Sequence, residues 1–451
     1  MGKLTWEALC LVVFLTLTGY QLFIPPITGV SDNNDFPKVL GPAHVCRASF
    51  ENVNTYFVSG YDAGPQCLWP SGFTSSEILF VNVARWLSRP FTGRYHFDLR
   101  ASAAVHLGVL AAAMVLFLGI TRRQGRLVRY LLPPLAIFLF TDVAYVAYLN
   151  SAFMDNAAWV SFLLLCSIAS SACIKYSRWT APAYGAAAVL LVFSKAPHAI
   201  LGIPFALLAA WFAIRYVRAR IAWSVCASVL LIATAVMPTR TPPDYRNISL
   251  FNVIFYRLAP SDPTVLLDLG LDEGYRKWVG TTAFAPGSPL PDPDWARNFL
   301  DRVSFVDIAR LYLRHPGIAL QQIDHELRDS VHVLRPDYMA NYRQADGLPP
   351  HSVATRFDLW DRLRDRTIEK LPYLLPLIYL LPLAGLFRRR LMLPLALTLA
   401  AGGAGEFLLC TLADGVDTHR HLFLFQVITD SLIIVLAGAA CALSNSKTSR
   451  T

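Results

Sequence analysis

A chain of 451 residues that is 55% hydrophobic and only 16% charged carries too few charges for a soluble domain, where about a quarter of residues are charged. Its net charge of +9, from 40 basic and 31 acidic residues, looks like a nucleic-acid signal, but the basic clusters stand beside apolar runs with no acid between their members, the pattern that marks the cytoplasmic side of a membrane protein. The composition excludes a soluble enzyme and a nucleic-acid partner and predicts an all-α polytopic membrane protein.

The first apolar run, 8–26, follows Met1-Gly-Lys3 and ends at Pro25-Pro26 without a small-x-small cleavage site, so an uncleaved first span is expected. Further runs are long enough to cross a ~30 Å hydrocarbon core at ~1.5 Å per residue. The clusters to be placed inside are Arg122-Arg123-x-x-Arg126-x-x-Arg129, Lys175-x-x-Arg178, Arg215-x-x-Arg218-x-Arg220, Arg388-Arg389-Arg390 and the tail with Lys447 and Arg450. This predicts about ten transmembrane helices, at 8–26, 101–120, 130–148, 157–174, 180–194, 199–214, 221–237, 371–387, 391–412 and 421–443, with both termini cytoplasmic. The organisation expected is an N-terminal transmembrane module, 1–238, holding a first outer loop at 31–100; an extracytoplasmic loop domain, 239–370; and C-terminal transmembrane helices, 371–451.

Within the first outer loop, Ser75 to Leu87 sets Ile78, Leu79, Val81, Val83 and Leu87 among polar residues, which predicts an amphipathic helix on the membrane with Trp86 at head-group depth. The large loop is too long and too patterned for a bare connector. Its helix-like stretches Ser304–Leu313 and Pro316–Leu334 predict a folded cap over the outer face. Six cysteines lie in apolar spans, where thiols behave as small hydrophobes. Cys46 and Cys67 share the first outer loop; if that loop is extracytoplasmic they can pair, closing a loop worth roughly 3 kcal/mol.

The outer ends of the spans collect polar groups in one plane. Asp32 and Asp35 follow span 1, Asn150 and Asp155 follow span 3, and Lys195 and His198 follow span 5. Asp414, Asp417, His419, Arg420 and His421 lie between spans 9 and 10. A carboxylate can take a proton from a hydroxyl and a cation can hold a phosphate, so their convergence is what attack on a phospho-sugar requires. Asp142 and Glu406 fall inside apolar runs, where an ionisable residue is a functional candidate by default. Bland alternatives stand beside these: Asp32 or Asp35 capping a turn, Asp155 as the N-cap of span 4, Lys195 snorkelling to the interface, and His419 to His421 anchoring head groups.

The ordered set of Asp32-Asn-Asn-Asp-Phe36, Tyr148-Leu-Asn-Ser-Ala-Phe153 with Asp155, Phe193-Ser-Lys-Ala-Pro-His198, Leu269-Gly-Leu271 with Tyr275 and Gly280, Tyr312-Leu-Arg-His-Pro316 and Arg420-His-Leu-Phe-Leu-Phe425 resembles the C-type (GT-C) integral-membrane glycosyltransferases, closest to bacterial glycan-biosynthesis hexose transferases. That resemblance implies a GT-C-like helical bundle with an extracytoplasmic cap from the first and largest outer loops. It implies a catalytic Asp in the first outer loop, a polyprenyl-phosphate-linked sugar as donor, and catalysis on the extracytoplasmic face of a bacterial inner membrane. Carried onto this chain, Asp35 is the first candidate for general base and Asp32 the second; Asn150, Asp155, Lys195, His198, Arg420 and His421 are candidate substrate-binding residues. The expected function is an inverting hexosyltransferase acting on a glycan or lipid-linked acceptor among membrane lipids. The alternatives are a polysaccharide polymerase or ligase, and a non-enzymatic lipid or glycan transporter. A divalent metal stays open, since such enzymes differ in metal dependence. The transferase reading requires the first-loop acid to face Lys195 and Arg420 rather than bulk water.

Overall fold

The computed structural model describes residues 5–47, 53–67, 72–336, 338–384 and 391–448, with side chains as far as Ala442. The Arg388 to Arg390 cluster, the Lys447 side chain and Arg450 lie outside the described residues.

Helix α1, Trp6–Phe23, starts where the Thr5 hydroxyl accepts the Ala8 N–H at 3.2 Å and stops ahead of Pro25-Pro26, which cannot continue a helix. The loop 31–100 that follows α1 holds a short helix α2, Pro37–Leu40, and a helix α3, Ser76–Thr92. It also holds a small antiparallel sheet in the order β1 (Val45–Cys46), β2 (Gly60–Ala63), β3 (His96–Asp98), pairing Val45 with Ala63 and Tyr61 with Phe97. The Cys46–Cys67 disulfide closes this loop. Helix α3 buries Glu77, Phe80, Val81 and Ala84 and exposes Leu79, Val83, Trp86, Leu87 and Phe91, an outward apolar stripe suited to a bilayer interface. Val81 was expected on that stripe; it turns inward instead.

The bundle continues with α4, Leu99–Thr121, capped by Asp98, and then α5, Arg126–Phe140, and α6, Val143–Leu149, which meet at a 63° bend. Next come α7, Asp155–Ile174; α8, Thr180–Val192; α9, Gly202–Arg215; and α10, Arg220–Val236, prolonged by a 3-10 turn Met237–Arg240. The cap is built from α11, Pro243–Phe251, α12, Val265–Asp268, α13, Pro293–Arg302, α14, Phe305–Arg314, and α15, Pro316–Asp329, with a core of its own around Phe251, Phe255, Tyr275 and Phe299. The chain closes with α16, Leu359–Lys370, α17, Leu374–Leu380, α18, Leu393–Leu412, α19, Thr418–His421, and α20, Phe423–Thr448.

Among the described residues, seven helices are long and apolar enough to cross a membrane, and the two bent pairs α5/α6 and α16/α17 raise the number to nine. The tenth expected span is α8, whose 13 residues reach only about 20 Å. Its flanks are packed among α7, α9 and α10, so neighbouring helices supply the apolar surroundings that length does not. The expected span at 371–387 is likewise a short piece set at 98° to α16. Helix α7 runs through the middle of the bundle, where Trp159, Phe162 and Leu165 are fully buried.

Two features place the loop 31–100. Glu7 at the start of α1 pairs with Arg129 of α5 at 2.7 Å, which puts both helix starts on one side. At the opposite end, the irregular segment after α15 is stitched to the loop. Gly29 N–H donates to the Asn341 carbonyl at 3.0 Å, Ser31 N–H to that of Ala340 at 2.9 Å, and the Asn341 amide back to the Gly29 carbonyl at 2.8 Å. These bonds satisfy buried backbone groups and fix where the chain emerges from span 1.

Candidate active site

The turn after Gly29 decides which way its two acids face. Asp32 Oδ1 accepts the Phe36 N–H at 3.1 Å, and Asn34 between them adopts a left-handed φ of 76°, which Asn tolerates better than most residues. The turn sends the two carboxylates apart. Asp32 goes inward to Arg47, 2.6 Å away, with side chains only 1% and 6% exposed. Burial raises the Asp32 carboxyl above its ordinary range, against the pull of the Arg47 charge. Asp35 goes the other way, to Arg420 Nη1 at 2.8 Å and to the Lys38 ammonium. Burial acts to raise its carboxyl too, but the Arg420 and Lys38 charges outweigh it and hold Asp35 well below the usual carboxylate range.

Arg420 is spoken for on all sides. Its Nε donates to Asp417 Oδ2 at 2.6 Å, its Nη2 lies 2.9 Å from His421 Nε2, and its guanidinium sits 5.2 Å over the Phe153 ring. Asp417 also takes the Tyr338 hydroxyl, and His421 pairs with Asp414, whose carboxyl is held low by that imidazole despite its burial. Opposite Asp35, Lys195 Nζ lies 3.3 Å from both oxygens of Asp155. Behind Asp155 stands His198, with Nε2 3.3 Å from Asp155 and Nδ1 2.5 Å from Glu406, all three buried.

These groups surround a narrow cleft that α11 of the cap helps to wall through Tyr245. Its charged lining is two carboxylates, Asp35 and Asp155, against four cations, Lys38, Lys195, Arg240 and Arg420. The excess of cations favours an anionic ligand. Phe73 and Tyr245 close one wall, edge to face at 5.6 Å, with Lys38 Nζ 5.2 Å from each ring. Among the described residues, no group of three or more His, Cys, Asp or Glu is arranged to hold a metal ion.

Of the residues singled out from the sequence, Asp35, Asp155, Lys195 and Arg420 line the cleft, and His198 and His421 stand directly behind it. Asp32 and Asn150 do not reach it. Asn150 is fully buried and its amide donates to the Leu22 and Thr28 carbonyls, tying off the end of α1. Asp155 is the first residue of α7 and makes no side-chain cap, because its oxygens face Lys195 and His198. Lys195 does not snorkel outward; only 11% of its side chain is exposed. His419 turns away to the Asp329 carbonyl. Asp142 is a staple, taking the N–H groups of Ala144, Trp360 and Asp361.

Lys38, Arg240 and Tyr245 escaped the sequence reading, as did a buried pair, Glu77 with His106 at 3.0 Å, and Asp430, which accepts from Tyr145 and Trp360. Lys38 had a local signal, three residues after Asp35. The others had none: Tyr245, the Glu77–His106 pair and Asp430 meet partners well separated in the chain, and Arg240 is marked only by the cleft it lines.

A family model described as the YfdI N-terminal transmembrane domain matches residues 2–450. No curated protein and no solved structure matches the chain.

Proposed function

The chain belongs to the YfdI N-terminal transmembrane domain family over nearly its whole length, and on that premise we propose that it is an inverting membrane hexosyltransferase. It takes its sugar from a polyprenyl-phosphate-linked donor and works on the extracytoplasmic face of a bacterial inner membrane. The observation that carries this reading is the ionised Asp35 at the mouth of a cation-rich cleft, across from Lys195 and Asp155.

The acceptor oxygen attacks the anomeric carbon from the face opposite the phosphate, its C–O bond forms as the bond to phosphate breaks, and the configuration inverts. As the oxygen gives up electron density its proton becomes strongly acidic, so a carboxylate held at low pKa can take it late in the step. An incoming phosphate also competes for Lys38, the ammonium paired with Asp35 Oδ1, and leaves that oxygen to the acceptor. Lys195, held to Asp155 only at 3.3 Å, turns to the departing phosphate. Arg420 acts as a clamp that aims Asp35, with His421 and Asp417 holding the clamp.

The test is incubation of the pure protein with a labelled polyprenyl-phospho-hexose and an acceptor glycan. Release of polyprenyl phosphate together with a glycan of inverted anomeric configuration is expected. Movement of the intact donor across a bilayer without bond cleavage would instead reveal a carrier.

A further inference from the structure

Among the described residues, every cation lining the cleft except one is already balanced by a carboxylate. Lys38 and Arg420 hold Asp35, Arg420 also holds Asp417, and Lys195 faces Asp155. Arg240 is exposed on the cleft wall, and its guanidinium makes no ion pair or hydrogen bond with any described residue. A planar five-donor group left open in this way is suited to bidentate recognition of a phosphate.

Its place in the fold narrows the source of that phosphate. Arg240 ends the 3-10 turn that prolongs α10, and below it α10 exposes Ile232, Val229, Val225 and Ile221 at helical spacing. This bare apolar stripe covers about 17 Å of the helix, and Ile221 at its far end lies roughly 28 Å below Arg240, close to the depth of a hydrocarbon core. An amphiphile lying along it brings its phosphate to Arg240 and whatever that phosphate carries into the cleft, beside Asp35. Thr241 and Thr74 line the same wall and supply hydroxyl donors.

We propose that Arg240, and not the buried Arg420, is the residue that captures the phosphate of a membrane-borne substrate, with the outward stripe of α10 receiving its chain. This rests on the reading of the cleft as a sugar-transfer site from a lipid-borne phosphate. It departs from the sequence expectation, in which Arg420 meets the phosphate, because the guanidinium of Arg420 has its nitrogens committed to Asp35, Asp417 and His421.

The experiment uses the full chain, reconstituted in nanodiscs with and without phosphatidylglycerol, and measures binding of a C55 polyprenyl phosphate and of the neutral polyprenol, neither of which carries a sugar to transfer. Arg240→Gln is expected to weaken polyprenyl phosphate binding about ten- to hundredfold, the worth of a charge-assisted hydrogen bond. Arg240→Lys should restore part of it, and polyprenol binding should not change. Three results overturn the proposal: equal binding by Arg240→Gln, an equal loss for polyprenol, or a loss seen only when phosphatidylglycerol is present, which makes Arg240 a contact for bulk anionic lipid. Transfer assays on the same protein separate the two levels. If sugar is transferred and Arg240→Gln leaves the KM for donor unchanged, the capture role falls and the transferase stands. If no sugar is transferred while phosphate binding still depends on Arg240, the transferase falls and the capture site stands.

Discussion

The opposite orientations of Asp32 and Asp35 predict that their amide variants fail in different ways. Asp35→Asn keeps the shape of the side chain and removes the charge that faces the cleft. Arg420 retains Asp417 at 2.6 Å, and Lys38 is still 26% exposed to solvent, so neither cation is stranded, and the stability loss should be about 1–2 kcal/mol. Turnover should fall about 10²–10⁴-fold, the usual contribution of a general base. Asp32→Asn does the reverse. It leaves Arg47, 6% exposed, without a counter-charge in a dry site, which costs about 3–5 kcal/mol, while protein that remains folded should keep most of its turnover. The assay pairs thermal unfolding in detergent with single-turnover release of polyprenyl phosphate, normalised to folded protein. If Asp32→Asn were the inactive but stable variant and Asp35→Asn the active one, the assignment of base and staple would be reversed.

Three more expectations follow from the same geometry. Because Arg420 and Lys38 hold Asp35 below its ordinary range, its charge contributes stability above the unfolded value of about 3.9 and loses it only as pH falls through the lower folded value. The acid limb of the rate due to Asp35 should therefore lie below about pH 4 and move upward in Arg420→Gln; an acid limb near pH 6 that this variant leaves in place would contradict the clamp. Opening the Cys46–Cys67 disulfide by paired Ser substitution should destabilise the protein by about 3 kcal/mol and loosen Arg47, read as a lower unfolding temperature matched by reducing the native chain. A Cβ on Gly415 would come within 2.5 Å of the Asn252 carbonyl group, so Gly415→Ala should push the loop bearing Asp414 and Asp417 and lower kcat with little loss of helix content by circular dichroism.

Much of the architecture was legible in the residues taken in order. Apolar run length and the one-sided basic clusters report directly on burial in lipid, since each span must satisfy its own backbone and pay for its own charges. For that reason α1, α4, α7, α10, α18 and α20 fall close to their expected positions, and the amphipathic pattern of α3 and the pairing of Cys46 with Cys67 were open to inspection. What the sequence could not decide was direction. Asp32 and Asp35 share a neighbourhood and a chemistry. One became a buried partner of Arg47 and the other a cleft residue only because the turn at Asn34 meets Arg420, nearly four hundred residues onward. The same holds for Asn150, which the sequence places at an outer span end and the packing assigns to the end of α1, and for Arg240, whose open guanidinium is defined by which cations elsewhere had already found carboxylates. Periodicity encodes how deep a side chain sits; its partner is set by contacts between distant segments, and those exist only once the helices have packed.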